Sequence, residues 1–278
     1  MRSTTDPKGI QKPNAATTAG GESRQEARRW YPLQAVLWII GVVVFIVSCL
    51  FVHAHPSPFA IDLSSSQAVQ HASLPPWADT LLRTPSVFNN PLPSILALAS
   101  WCIFMLVMGL IFYLRGKSPL VWLQNAIFLV LAVLSSSGLN VLMATLVGRP
   151  RPDPHKYPIH VSTAIVPFPS FPSGHTEHDM VYYGFLLYLS FTKPVRAWRY
   201  RRLLIPLQVL ALFDILAIGY SRVLEGDHWF TDVLGGYLEG LLYLFLCIFI
   251  YRWVTNYLAR WREKHSNHNA LKRMLSAR

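Results

Sequence analysis

Apolar residues in this chain come in long unbroken blocks, separated by short polar stretches rather than alternating with them. Six blocks, at roughly 32–52, 94–114, 119–147, 177–192, 203–220 and 233–254, predict helices. Each is near the about 20 residues that cross the hydrocarbon core of a bilayer, allowing for tilt and ragged ends. The pattern predicts an all-α fold, a six-transmembrane helical bundle occupying residues 30–255 as one domain. The third block carries Gln124, Asn125, Ser135, Ser136, Ser137, Gly138 and Asn140, small and polar residues of the kind that let helices pack closely. Residues 1–29, rich in Thr, Gly, Ala, Pro and charge, predict a disordered tail. The block after them is too long for a cleavable signal peptide and lacks a small-residue cleavage site. Prolines break the stretch 53–93, whose middle, Pro76 to Leu82, predicts a short helix lying on the membrane surface. Residues 256–278 form a basic tail, read as a topology anchor.

Composition supports the membrane reading, because only 14% of residues are charged and 52% are hydrophobic. A soluble domain usually carries about 25% charged residues. The net charge of +11 would suit a nucleic-acid partner, but the placement of the cations argues for topology and against nucleic acid. Arg115 and Lys117 lie between blocks two and three, and Lys193, Arg196, Arg199, Arg201 and Arg202 between four and five. Arg24, Arg28, Arg29 and the cations after residue 251 fall on the same side, which the positive-inside rule makes the cytoplasm. Both termini are then cytoplasmic. Arg149, Arg151, Lys156 and Arg222 break the rule by falling on the outer side, and anion binding gives them a reason to be there. Cys49, Cys102 and Cys247 all sit in apolar blocks and read as packing residues. His53, His55 and His71, irregularly spaced, form no metal pattern.

Three polar clusters reach that outer face. Gly148-Arg149-Pro150-Arg151-Pro152 follows block three, its prolines holding the backbone extended while guanidinium forks present paired donors to an anion. A basic loop resting on lipid headgroups fits that cluster equally well. Pro172-Ser173-Gly174-His175 opens block four, where Ser173, Gly174 and the unpaired N–H groups of a helix start make an anion site beside a proton-donating histidine. An ordinary N-cap with an interfacial histidine is the plainer reading, and His175, Glu177 and His178 do not complete a metal ligand set. Ser221-Arg222 with His228 and Asp232 forms the third. His228 and Asp232 are four apart, so on a helix the carboxylate can accept the Nδ1 proton and leave Nε2 free to attack. The combined inventory suits phosphoryl transfer.

The clusters resemble the motifs of the type 2 phosphatidic acid phosphatase superfamily, which includes vanadium haloperoxidases: Lys-x6-Arg-Pro, Pro-Ser-Gly-His and Ser-Arg-x5-His-x3-Asp. The second and third are matched without a gap by Pro172 to His175 and by Ser221, Arg222, His228 and Asp232. The first departs, since Ala144 stands at the lysine position when Arg151-Pro152 ends the motif, and Leu142 when Arg149-Pro150 does. The resemblance implies a metal- and cofactor-free lipid phosphate phosphatase; chain size and the lack of a eukaryotic targeting signal point to a bacterial inner membrane, and the charge topology to an active site on the extracytoplasmic side. His228 would be the nucleophile that forms a phosphohistidine, His175 the acid, and Asp232 the residue that orients His228. Arg151, Arg222, Ser173, Gly174 and, in place of the lysine, Arg149 or Lys156 would hold phosphate. Phosphatidic acid, phosphatidylglycerol phosphate or a polyprenyl diphosphate would be the substrate. A relative that binds lipid phosphates without hydrolysing them is the alternative that the missing lysine keeps open. A haloperoxidase is a third, against which the spans argue.

Overall fold

The computed structural model describes residues 15–162 and 168–276, with side chains from residue 32 to 265 within them. Its helices are α1 (Ala15–Ala54), α2 (Ala60–Gln70), α3 (Pro76–Phe88), α4 (Pro91–Leu114), α5 (Leu120–Val147), α6 (Gly174–Ser190), α7 (Ile205–Leu224) and α8 (Phe230–Ser276). Two short 3-10 turns, Val195–Ala197 and Arg201–Leu204, precede α7, and no strand occurs among the described residues. The chain divides into two compact units, residues 1–44 and Phe45–Arg278. The first holds the start of α1, whose Leu37, Ile39 and Val43 are exposed. Helix α1 begins at Ala15, inside the stretch expected to be disordered, while residues 1–14 lie outside the described residues.

Five helical segments are long and apolar enough to cross a membrane: Pro32–Ala54, Pro91–Leu114, Leu120–Val147, Arg201–Leu224 and Phe230–His265. Large apolar side chains such as Ile127, Leu131, Leu134, Val209 and Leu216 stay exposed on them, the surface expected of helices solvated by acyl chains. The chain is a multi-pass membrane protein. The remaining expected span, α6, has 17 residues and so rises only about 26 Å. Its polarity has a reason. Its first two turns carry His175, Glu177, His178 and Asp179, and it packs against α5, α7 and α8, which supply the surroundings that lipid supplies elsewhere. Where α6 meets α8 the fit requires glycine. A Cβ on Gly240 would lie 2.9 Å from the Glu177 carbonyl oxygen and 2.8 Å from Met180 Cβ.

The core gathers around α6, with Leu129, Val133, Tyr182, Phe185, Leu189, Leu244 and Tyr251 buried together. The stretch 53–93 departs most from expectation. It holds α2, which its mixed composition did not predict; the short helix expected from Pro76 is present as α3 and packs against α7. Helix ends alternate, so the ends of α5 and α7 and the starts of α6 and α8 meet at one end of the bundle. The basic connections 115–119 and 191–204 lie at the other end.

Candidate active site

Glycine ends α5 and frees the chain to turn. Gly148 adopts φ 68°, a left-handed conformation that costs glycine little, and its N–H bonds the Ala144 carbonyl at 2.9 Å. The chain then enters Arg149-Pro150-Arg151-Pro152, and the segment 168–173 is tied alongside it. Ser170 donates its N–H to the Arg149 carbonyl at 2.8 Å and its hydroxyl to the Pro150 carbonyl at 3.1 Å. The Ser173 N–H donates to the Asp232 carbonyl at 3.0 Å, fixing the start of α6 against the start of α8. Three segments far apart in sequence are thereby locked together by backbone hydrogen bonds.

His228 lies at the centre, 1% exposed. Its Nδ1 is 2.8 Å from the Ser170 carbonyl oxygen. A carbonyl can only accept, so Nδ1 carries the proton and Nε2 keeps its lone pair. Nε2 points toward Arg151, whose Nη1 is 3.5 Å away. The His175 ring stands opposite, with centroids 6.2 Å apart and planes at 70°. The expected hydrogen bond from the imidazole Nδ1–H to Asp232 is not made, because Asp232 Oδ2 is 3.7 Å from Nδ1 and accepts the Trp229 N–H at 2.9 Å instead. Asp232 acts on His228 as a nearby charge. Burial pushes the His228 pKa below the ordinary histidine value; Asp232 opposes that shift, while the positive charges of Arg151 and Arg222 reinforce it.

The arginines differ sharply in what they face. Arg151 donates from Nε to the Phe168 carbonyl at 2.8 Å and from Nη1 to the Asp227 carbonyl at 3.0 Å, and makes no ion pair among the described residues. Its charge is thus held in place by neutral acceptors and left uncompensated beside His228. Burial lowers its pKa from the usual arginine value, against the pull of Asp227 and Asp232. Arg222 is less available. Its Nη1 pairs with Asp227 at 2.7 Å and its Nη2 with Glu225, so an anion would share it with two acids.

Arg149 corrects the sequence reading. It is fully buried, with Nη1 2.5 Å from Asp232 Oδ1 and Nη2 2.7 Å from Asp62 Oδ2. A guanidinium gripped by two aspartates does not replace a missing phosphate-binding lysine. Lys156 offers nothing firmer, its side chain 71% exposed and its Nζ 3.5 Å from Asp153. Ala144, at the lysine position, is itself buried in the bundle.

Ser173 sits at the N-cap of α6 but caps nothing with its side chain. Its Oγ accepts the Thr176 hydroxyl at 3.1 Å, which leaves its own proton free to donate. His178 turns away from His175 to meet Ser94 Oγ at 3.1 Å, and no acid–histidine–cysteine cluster fit for a metal occurs among the described residues. A cavity of about 480 Å³ opens beside Arg151, with Tyr157, Phe168, Pro169 and Trp229 in its walls. Ser170 and Asp62 are the site residues that the sequence reading missed. Ser170 acts through its backbone carbonyl, which no side-chain pattern reveals. Asp62 lies about 90 residues before its partner Arg149, outside every motif.

Residues 125–257 match the PAP2 superfamily. Phosphatidylglycerophosphatase B of Bacillus subtilis (strain 168) is 32% identical over 108 residues, covering 39% of this chain and 49% of that protein. Phospholipid phosphatase 2 of Rattus norvegicus is 35% identical over 74 residues, covering 26% of each. The matched stretch thus spans about half the length of the first relative and about a quarter of the second. The crystal structure of a transmembrane PAP2 type phosphatidylglycerolphosphate phosphatase from Bacillus subtilis superposes with a TM-score of 0.58 at 21% identity. The superposition covers 77% of this chain and 94% of that one, and the two share a fold.

Proposed function

From the premise that the chain carries a PAP2 superfamily domain over residues 125–257, we propose that it is a lipid phosphate phosphatase. The observation that carries this reading is the facing pair His228 and His175, 6.2 Å apart, with Arg151 unpaired beside them. His228 Nε2 attacks phosphorus, forming a P–N bond as the P–O bond to the lipid breaks. His175 gives its proton to the departing oxygen. Water then attacks the phosphohistidine, the P–N bond breaks, and His175 takes up the water's proton. Arg151, the Ser173 hydroxyl and the N–H groups at the start of α6 hold the equatorial oxygens as charge gathers on them. Arg222 joins them by turning from Glu225 or Asp227. No step draws on a metal.

The bacterial relatives are named for phosphatidylglycerophosphate, which makes that lipid the first substrate to test, ahead of phosphatidic acid and polyprenyl diphosphates. The basic connections at the opposite end of the bundle support a site on the extracytoplasmic face of an inner membrane. A binder of lipid phosphates is the second reading. Ala144 in place of the lysine and the pairing of Arg149 and Arg222 with acids both favour it. Phosphate release from each of these lipids, assayed in detergent with chelator, separates the two. Release that His228→Ala abolishes supports the phosphatase; binding without release from any of them supports the binder.

A further inference from the structure

The buried Arg149 has a second consequence, which rests on the phosphatase reading. Asp62 Oδ1 accepts both the N–H and the hydroxyl of Thr231 at 2.8 Å, inside the first turn of α8. Asp62 Oδ2 accepts the Phe59 N–H at 3.0 Å and the Arg149 guanidinium at 2.7 Å. Arg149 Nη1 in turn donates to Thr231 Oγ1 at 2.7 Å and to Asp232 Oδ1 at 2.5 Å. Asp62, Arg149 and Asp232 are each completely buried. One cation between two anions leaves the triad with a net charge of −1 beside His228.

We propose that Asp62 and Arg149 are positioning residues for His228, acting through Asp232 and Thr231 to set where α8 begins and how much negative charge the nucleophile feels. Neither touches the substrate. Arg149 draws charge from Asp232, and Asp62 draws Arg149 back. The other charged or titratable groups facing this centre are Arg151 after α5, His175 on α6, and Arg222 with its partners Glu225 and Asp227 at the end of α7. Neither substitution changes the charge of any of these groups, so the sign of each triad charge's effect can be read separately.

The two residues act on His228 with opposite sign. Arg149→Gln removes a cation and leaves Asp232 to favour the imidazolium, so His228 titrates at higher pH than in the wild type. Asp62→Asn keeps an oxygen for Thr231 but removes an anion, so His228 titrates at lower pH. Arg149→Lys keeps the charge without the fork, so the titration stays near wild type while kcat falls. In both charge-removing variants kcat falls about 10- to 100-fold with KM changed less than about twofold, because alignment is lost while phosphate binding is kept.

The test is histidine 15N NMR of the full-length protein in detergent across a pH series, with the His228 signal assigned by its loss in His228→Gln. Steady-state kinetics on the same samples accompany it. Opposite shifts in the two variants support the proposal. Equal shifts, or none, overturn it and leave the triad as an ordinary structural brace. Should Arg149→Gln fail to fold, Asp62→Asn decides alone, since a shift to higher pH or no shift is fatal. The NMR titration does not depend on turnover. Opposite shifts in a protein that releases no phosphate would sustain the positioning role and sink the phosphatase reading.

Discussion

The two arginines of Arg149-Pro150-Arg151-Pro152 stand two residues apart and divide the site into two sides. On the Arg149 side the cation is paired twice: the guanidinium is fully buried between Asp62 and Asp232, and both carboxylates are tied through it to the start of α8. On the Arg151 side the guanidinium makes no ion pair among the described residues; it is held by two backbone carbonyls and lies 3.5 Å from His228 Nε2, with His175 opposite. On the proposed reading, one side fixes positions and the other keeps a positive charge ready for an anion. Sequence proximity and residue type say nothing of this division. What decides it is which arginine meets a buried carboxylate.

The largest way to break the comparison is to remove the proposed nucleophile. His228→Ala is expected to lower kcat about 10³-fold or more while the unfolding midpoint in detergent stays close to wild type. A residual rate within tenfold of wild type would put the chemistry elsewhere. Next comes the Arg149 side. Arg149→Ala leaves two buried aspartates without their cation, a loss of about 3–5 kcal/mol of stability, read as a drop in thermal unfolding temperature. Arg151→Ala is expected to do the reverse, leaving the unfolding temperature near wild type and lowering kcat/KM about 10²- to 10³-fold. If the two variants shared one phenotype, the division into sides would collapse.

Two finer tests sharpen it. Because burial lowers the His228 pKa, its neutral, nucleophilic form persists as pH falls through the ordinary histidine range. The acid limb of kcat/KM should therefore lie below pH about 6.5, and a limb above that value would mean that Asp232 outweighs burial and the two arginines. Smallest of all is Lys156→Ala. Its exposed ion pair with Asp153 is worth about 0–1 kcal/mol at most, so kcat, KM and unfolding temperature should stay within about twofold or a degree or two of wild type. A large rise in KM would restore Lys156 as the stand-in for the missing lysine.

Much of this protein was legible from residue order alone. Unbroken apolar blocks forecast the spans of α1, α4, α5, α7 and α8, because a lipid-facing helix must be apolar all round wherever the bundle does not cover it. The polar turn at the head of α6 and the residues around His228 were legible as well, because ionisable groups beside a membrane need a purpose. Helix α2 was not, since eleven residues of mixed polarity carry no periodic signal. Nor was the partner of His228 Nδ1. The sequence put a carboxylate four residues away, but His228 precedes α8 instead of lying on it, and the helical spacing does not apply.

The sequence by itself thus determined the elements and the chemical inventory, because both depend on local composition and on spacing within one segment. Only the tertiary structure decided which charges are matched inside and which are left open. That outcome turns on contacts between α2, the end of α5, the segment 168–173 and the start of α8, segments up to about 170 residues apart. Coulombic and hydrogen-bond energies at such contacts are set by distance and burial, neither of which is written in residue order.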